Sequence, residues 1–214
     1  MATSVPLPES TPVLNRPTTG DPTPLRAAHT PNFPTLLQQL NASLLVTTYQ
    51  AGKLVMVRDE GDHLNTHFRA FESPMGMALA GDRLAIGTRI EVREFVDVPA
   101  VAARLEPPGR HDACFLPRAS HVTGNLRIPE MAWGAGGALG VVNTRFSWLC
   151  TLDGSARFAP RRRPTVVTAL EPTDRCHGSG PGMGNDRPRH VTAPGQTQRD
   201  HDTPSHPDSF RTGT

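Results

Sequence analysis

The chain has 214 residues and a formal net charge of +2, with 22 prolines, 19 glycines and only 5% aromatic residues. Its hydrophobic fraction of 36% is too low for one compact core that spans the whole length, so we expect a folded region flanked by disordered segments. Twenty acidic residues nearly offset twenty-two basic ones, which gives no indication of nucleic acid as a partner.

The sequence lacks the marks of a secreted, disulfide-bonded or membrane-inserted protein. Its three cysteines, Cys114, Cys150 and Cys176, form no C-x-x-C pair and are odd in number, which favours free thiols in a reducing compartment. We find no basic start followed by an apolar core, and no run approaches the roughly 18 apolar residues of a membrane span. We therefore expect a cytoplasmic protein that does not associate with membranes.

Residues 1–33 are predicted to form a disordered arm. Eight prolines occur in residues 1–34 among threonines, serines and small residues, a composition that favours polyproline conformation and cannot offset its ordering entropy by burial. In the stretch "PTLLQQLN" that follows, a proline and a threonine precede three leucines at helical spacing. This stretch predicts a short helix.

The pattern from Leu44 to Leu152 is that of short β-strands. Runs rich in Val, Ile, Leu and Thr are separated by the turn-forming stretches "AGK", "EGDH", "AGDR" and "GAGGA". The fold class is therefore predicted to be all-β, with a domain over residues 34–175. Residues 176–214 are expected to contain a decayed repeat and a disordered polar tail.

A repeated phrase indicates how these strands are organised. The stretch "GMALAGDRLAIGT" aligns with "EMAWGAGGALGVVNT" and, without a gap, with "GPGMGNDRPRHVT", and a fainter first copy is "SLLVTTYQAGKLVMV". Thr48, Thr88, Thr144 and Thr192 occupy the same place in the four copies and are 40, 56 and 48 residues apart. A period of about 40 to 50 residues with several short strands is typical of β-propeller blades. The alternative is a sandwich or meander with chance similarity.

The propeller-like array is expected to be incomplete, with about three recognisable blades and a decayed fourth. Where earlier copies have Leu84 and Ile86, the fourth has Pro188 and His190, and an interior proline removes a ladder hydrogen bond. We therefore expect the strands of the fourth copy to be weak or absent, with disorder beyond about Arg175. The preceding blade would then present an open edge, through which the chain could self-associate.

Ten residues on the apolar phase of the strands are predicted to be largely buried. Trp133 is expected to matter most, because its indole would pack between two blades. The set is Leu45, Val55, Met77, Leu79, Leu84, Ile86, Trp133, Val141, Phe146 and Leu149.

The phrases "TTYQAGKL", "LAIGTRIEVREF" and "VNTRFSWLCTLD" resemble an uncharacterised bacterial family of conserved hypothetical proteins over about residues 33–153. The resemblance implies a β-propeller-like fold and no established activity. In that family a histidine stands where this chain has Pro129, and Leu-Asn-Gly stands where it has Gly178, Ser179 and Gly180. Family members also continue for further blades, so the chain is interpreted as a truncated or diverged member.

Five polar residues are candidates for a divalent metal site. Inner strands of a propeller converge on a central channel, and Glu130 and His177 each stand near the start of such a strand. The loop before the Glu130 blade adds His111, Asp112 and His121. Carboxylates and imidazoles are suitable ligands, but no compact ligand motif supports the set, and solvated or structural roles are the alternative.

Other motifs give weaker indications of chemistry. The adjacent Cys176 and His177 suggest an activated thiol, but neighbouring strand residues point to opposite faces. The stretch "GAGGALG" misses a dinucleotide fingerprint by one residue and is interpreted as a turn. The run Arg161 to Arg163 could contact phosphate or form a solvated loop.

Two function classes remain open from the sequence. The first is a non-catalytic binding module that holds an unknown protein or small-molecule ligand, without a cofactor. The second is a metal-dependent hydrolase or lactonase-like enzyme with its site in the propeller channel, in which Glu130 acts as ligand or base and His177 or His121 assists.

Overall fold

A computed structural model describes residues 28–152, 154–164, 167, 169–172, 178–184, 187–194 and 207–211. These residues form β-strands with two short α-helices and one 3₁₀ turn, so the predicted all-β class is confirmed. The chain divides into two compact units. Of the described residues, the first unit comprises 28–46 and 54–69, and the second comprises 47–53 and those from 70 onward. The proposed arm over residues 1–27 lies outside the described residues.

Helix α1, Phe33–Leu40, confirms the predicted short helix. A proline in its first turn supplies a preset φ, and the helix ends at Asn41, which is left-handed (φ 46°). Its apolar face is divided, because Leu37 is buried whereas Leu36 and Leu40 are exposed.

Strands β1 (Leu44–Thr48), β2 (Lys53–Asp59) and β3 (Leu64–Ala70) form a sheet in the order β1-β2-β3, called sheet A here. A polar chain ties its second and third strands together, since Arg58 donates to Asn65 (2.7 Å), and the Asn65 amide donates to Glu60 (3.1 Å).

Sheet B is an antiparallel meander of four strands. These are β4 (Met77–Ala80), β5 (Arg83–Gly87), β6 (Glu91–Asp97) and β7 (Phe115–Val122), each paired with its neighbour in sequence. Helix α2, Pro99–Ala102, interrupts the predicted β pattern between β6 and β7. A proline begins this single helical turn, where its missing N–H costs no hydrogen bond.

Sheet C repeats the same meander. Its strands are β8 (Met131–Trp133), β9 (Leu139–Asn143), β10 (Trp148–Leu152) and β11 (Ala159–Arg162). The inner hairpins β4–β5 and β8–β9 coincide with the aligned phrases of the sequence repeat, which is therefore confirmed as a structural repeat.

The main core lies between sheets B and C. It contains side chains from one face of each sheet and from the segment that joins the sheets. Trp133 packs against this core, its indole N–H donates to the Ala78 carbonyl (3.2 Å), and the Arg83 guanidinium lies 3.8 Å above its ring. Meanders stacked face to face in this way are the arrangement of propeller blades, so the fold is β-propeller-like. The buried members are Ala78, Ala85, Val92, Leu126, Ile128, Met131, Leu139, Val141, Cys150 and Leu152.

Four of the ten predicted core residues are buried, five are half-buried, and one prediction is wrong. Leu79 is 62% exposed, although it pairs with the buried Leu84 on the same face. Leu84 lies on an internal strand, whereas Leu79 lies on β4 at the edge of the sheet and next to its turn, so fewer neighbours cover it. Leu84, Ile86, Val141 and Leu149 are buried; Leu45, Val55, Met77, Trp133 and Phe146 are half-buried.

The fourth copy of the repeat departs from the expectation of weak or absent strands. Strands β12 (Ser179–Gly184), β13 (Arg187–Pro194) and β14 (Pro207–Arg211) form an antiparallel sheet D, with β12 next to β8 and β9. Pro188 is accommodated because the β12–β13 register shifts next to its partner Met183. The described part of sheet D has three strands, where sheets B and C have four.

Candidate functional site

Glu130 lies where the inner strands of sheets B and C begin, as the sequence predicted. Its side chain is exposed, and its carbonyl accepts a hydrogen bond from the Val142 N–H (3.0 Å). The backbone here is closely approached by Gly76, since a Cβ at Gly76 would lie 3.0 Å from the Glu130 Cα. Only glycine fits this crossing without displacing the backbone.

The two predicted histidines of sheet B hydrogen-bond to main-chain carbonyls. His111 lies in the loop between α2 and β7, and its Nε2 donates to the Glu106 carbonyl (3.1 Å). His121 lies on β7, and its Nε2 donates to the Arg157 carbonyl (3.0 Å). Asp112 is exposed in the same loop as His111. Each contact uses Nε2 and ties the histidine to a main-chain carbonyl of another segment.

The structure does not bring three of the four described candidates together. His121 lies on β7, the outer strand of sheet B, three strand spacings or about 14 Å from the inner strand β4. Glu130 lies at the start of β8, which contacts β4. Among the residues that the structure describes, no three His, Cys, Asp or Glu side chains converge on a metal position. His177 and the neighbouring Cys176 lie outside the described residues, so the five-residue site remains a prediction.

The other two motifs have structural roles. The stretch "GAGGALG" contains the 3₁₀ turn Ala135–Gly137, in which both glycines have positive φ, so the interpretation as a turn is confirmed. In the arginine run, Arg161 donates to the Thr151 hydroxyl (2.7 Å), and Arg163 lies 5.9 Å from the centre of the Trp148 ring.

The "NTRFS" phrase forms a buried polar turn between β9 and β10. The Asn143 side chain is completely buried and accepts a hydrogen bond from the Phe146 N–H (3.2 Å). The buried Thr144 hydroxyl donates to the Arg127 carbonyl (2.8 Å), and its N–H bonds the same oxygen (3.3 Å). The Asn and Thr of this phrase are therefore explained by the hydrogen bonds that their buried side chains make to main-chain groups.

Cys150 is buried against this turn. The Asn143 amide donates weakly to its sulfur, at 3.8 Å. Burial raises the pKa of the Cys150 thiol to about 12, and the hydrogen bond from Asn143 offsets only part of this increase. The thiolate is the reactive form of cysteine, so this thiol is inert at neutral pH.

We expect alkylation at pH 8 to spare Cys150 in the folded chain. With a pKa of about 12, only about one molecule in 10⁴ carries the thiolate at that pH. Iodoacetamide labelling followed by peptide mass spectrometry should show modification of the half-exposed Cys114, and modification of Cys150 only after urea is added. Equal labelling of both thiols before unfolding would contradict this assignment.

The first unit carries an apolar surface that the sequence analysis missed. Residues 27–52 contain no Asp, Glu, Lys or Arg, in a chain where these make up 20% of residues. Besides Tyr49, four large aliphatic side chains of this stretch are exposed, and Leu40 on α1 is 64% exposed. We call them the uncharged surface: Leu36, Leu40, Leu44 and Val46. The gap in charge was visible in the sequence and could have revealed it.

Strand β1, which carries half of this surface, is less protected than the other sheet edges. Natural edge strands avoid adventitious pairing by prolines, charges or short length. Strand β7 contains Pro117 and Arg118, and β11 contains Pro160 and Arg161. The inner edges β4 and β8 are only 4 and 3 residues long. β1 has 5 residues, no proline and no charge.

These observations define a β-propeller-like protein with an exposed, uncharged apolar surface. Residues 31–203 match the family described as a domain of unknown function (DUF4915), and the chain belongs to this family. The predicted resemblance to an uncharacterised family is thus confirmed, and the match continues past Asp153, where the resemblance was expected to decay. No curated protein matches the chain. In the described part, neither helix has the length and apolar character that a membrane span needs.

Proposed function

We propose that this chain is a non-catalytic protein-binding module and that the uncharged surface is its binding site. The observation that supports the proposal is the exposure of Leu36, Leu40, Leu44 and Val46 within a stretch without charge. Single exposed leucines are common on folded proteins, but clustered ones are typical of interaction sites. Leu36 and Leu40 are one turn apart on α1, and Leu44 and Val46 share one face of β1.

The chemistry of the surface favours a protein partner over the other classes. Phosphate recognition needs Lys or Arg, and none lies between residues 27 and 52. Leucine and valine side chains contribute area rather than directional hydrogen bonds, which suits an apolar protein segment better than a polar small molecule. We therefore propose neither nucleic acid nor a cofactor as the ligand.

We further propose that the module works in the cytoplasm. Cys114 and Cys150 are free thiols among the described cysteines, and a reducing compartment keeps such thiols free.

The proposal is tested by placing a charge on the surface. We expect Leu40→Asp and Val46→Asp to abolish capture of a specific partner from an extract of the source cells, because an aspartate would have to be desolvated in the interface. The partner, identified by mass spectrometry and then purified, should bind the wild-type chain in calorimetry and bind each variant at least about tenfold more weakly.

Leu116→Asp is the matched control, because Leu116 is a similarly exposed leucine on β7, in the other unit of the chain. It should retain the partner with unchanged affinity. If the two surface variants capture the same proteins as the wild type, or if the control loses them equally, the proposed binding site is wrong.

A further inference from the structure

Strand β1 occupies the place in sheet A that β5 occupies in sheet B. The Thr48 hydroxyl donates to the carbonyl of Lys53 (3.0 Å), the first residue of β2. The Thr88 hydroxyl donates in the same way to the carbonyl of Glu91 (2.9 Å), the first residue of β6. The sequence repeat aligns the same two threonines, so β1 and β5 are equivalent strands.

The equivalent strands of sheets B and C are paired on both sides, whereas the described part of the chain pairs β1 on one side. In sheet B, β5 lies between β4 and β6, and in sheet C, β9 lies between β8 and β10. Among the described strands, β1 pairs with β2 alone. No described strand takes beside β1 the place that β4 and β8 take in the other sheets, and this unpaired side of β1 is called its open edge.

The equivalence also shows which main-chain groups face this open edge. Gly87, just before Thr88, donates its N–H to the Gly76 carbonyl (2.9 Å) and accepts at its carbonyl from the Met75 N–H (2.9 Å). Its groups thus point to the inner strand. Thr47 is in the same position before Thr48, and main-chain direction alternates along a strand. The N–H and C=O of Leu45 and Thr47 therefore face outward.

We infer that the open edge of β1 pairs with the same edge of a second copy of this chain, antiparallel and about a twofold axis at Val46. The inference rests on the proposed function and specifies its partner. In this register Leu45 of each copy lies opposite Thr47 of the other. The two resulting pairs each exchange two main-chain hydrogen bonds, about four in all. Val46 then faces its own equivalent in the close, non-hydrogen-bonded position.

The composition of the strand is what selects a second copy. In a twofold interface every charge near the axis meets its own like charge, which is repulsive. The sequence around β1 has no charge, and its apolar Val46 lies at the centre, so the edge is complementary to itself. The edges that carry proline and arginine, β7 and β11, would not pair with themselves in this way.

Cysteine scanning tests the register directly. At Val46 the two Cα atoms would lie about 4.5 Å apart, within disulfide range, whereas at Leu44 they would lie about 14 Å apart. We expect mild oxidation of Val46→Cys to give a covalent dimer at a yield at least about tenfold above that of Leu44→Cys. The wild-type chain, with the same native cysteines, measures the background.

Light scattering of the full chain tests the main-chain pairing. Thr47→Pro removes an outward N–H, and Thr47→Val is its control, because it keeps the N–H and loses only the hydroxyl bond to the Met75 carbonyl (2.5 Å). We expect the wild type and Thr47→Val to be dimers and Thr47→Pro to be a folded monomer. Circular dichroism verifies the fold of each variant.

A wild-type chain that stays monomeric at every concentration rules out a second copy as the partner. The proposed binding site would still be tested separately, because Leu40→Asp and Val46→Asp would reveal a different protein partner. A dimer that survives Thr47→Pro, or that cross-links equally at positions 44 and 46, places the contact elsewhere and also overturns the inference.

Discussion

Replacing Trp133 by alanine should lower the free energy of unfolding by about 3 kcal/mol, the lower end of the range for a tryptophan because the side chain is half-buried. The change removes the ring from the core between sheets B and C. It also removes the indole hydrogen bond to the Ala78 carbonyl and the support beneath the Arg83 guanidinium. Urea denaturation followed by circular dichroism measures the loss.

Trp133→Phe separates packing from hydrogen bonding. It retains an aromatic ring in the core but has no N–H, so we expect it to lose only about 1 to 2 kcal/mol. An alanine variant as stable as the wild type would show that the two sheets do not depend on this side chain for their contact.

Replacing Asn143 by aspartate should be the second large effect, and it should depend on pH. The side chain is completely buried, so the pKa of the new carboxyl would be raised well above its unfolded value of about 3.9. At a pH above about 3.9 the aspartate of the unfolded chain is ionised, whereas the folded chain must either keep its proton or bury the charge. The fold therefore loses stability as the pH rises above that value. The loss should grow by about 1.4 kcal/mol per pH unit above pH 4 and reach about 3 to 4 kcal/mol at pH 7.

Asn143→Ala is the matched control, since it removes the amide without adding a charge. Its loss of stability should be the same at pH 4 and pH 7 relative to the wild type. Urea denaturation at several pH values compares the two variants. A destabilisation by Asn143→Asp that does not change with pH would mean that water reaches this position.

The repeat allowed much of the fold to be predicted from the sequence. Aligning the threonine-ended phrases placed the hairpins β4–β5 and β8–β9, because alternation and turn residues are local properties of the chain. The strands of the fourth copy were expected to be weak or absent because of Pro188, yet β12 and β13 are paired. Burial was less predictable. Leu79 and Leu84 have the same periodicity, and only their positions at the edge or inside of the sheet decide which one is covered.

The candidate site was harder to predict than the fold. The histidines of sheet B were selected as metal ligands by residue type, yet His121 bonds the Arg157 carbonyl, a contact across 36 residues that no local pattern indicates. The uncharged surface has the opposite character. Its signal is an absence of charge between residues 27 and 52, and searches for chemical motifs overlook such an absence.

The meander connectivity has a consequence for how the chain folds during synthesis. Every pairing in sheet B joins strands that are neighbours in sequence, so all of its hydrogen bonds can form once β7 has been made. The face that carries Ala85 and Val92, however, is covered only when sheet C follows. A nascent chain that ends between the two sheets can therefore have all strands of sheet B paired while an apolar face of that sheet is still exposed. Exposed apolar surface of this kind makes a folding intermediate prone to aggregation, and it is the surface that molecular chaperones bind.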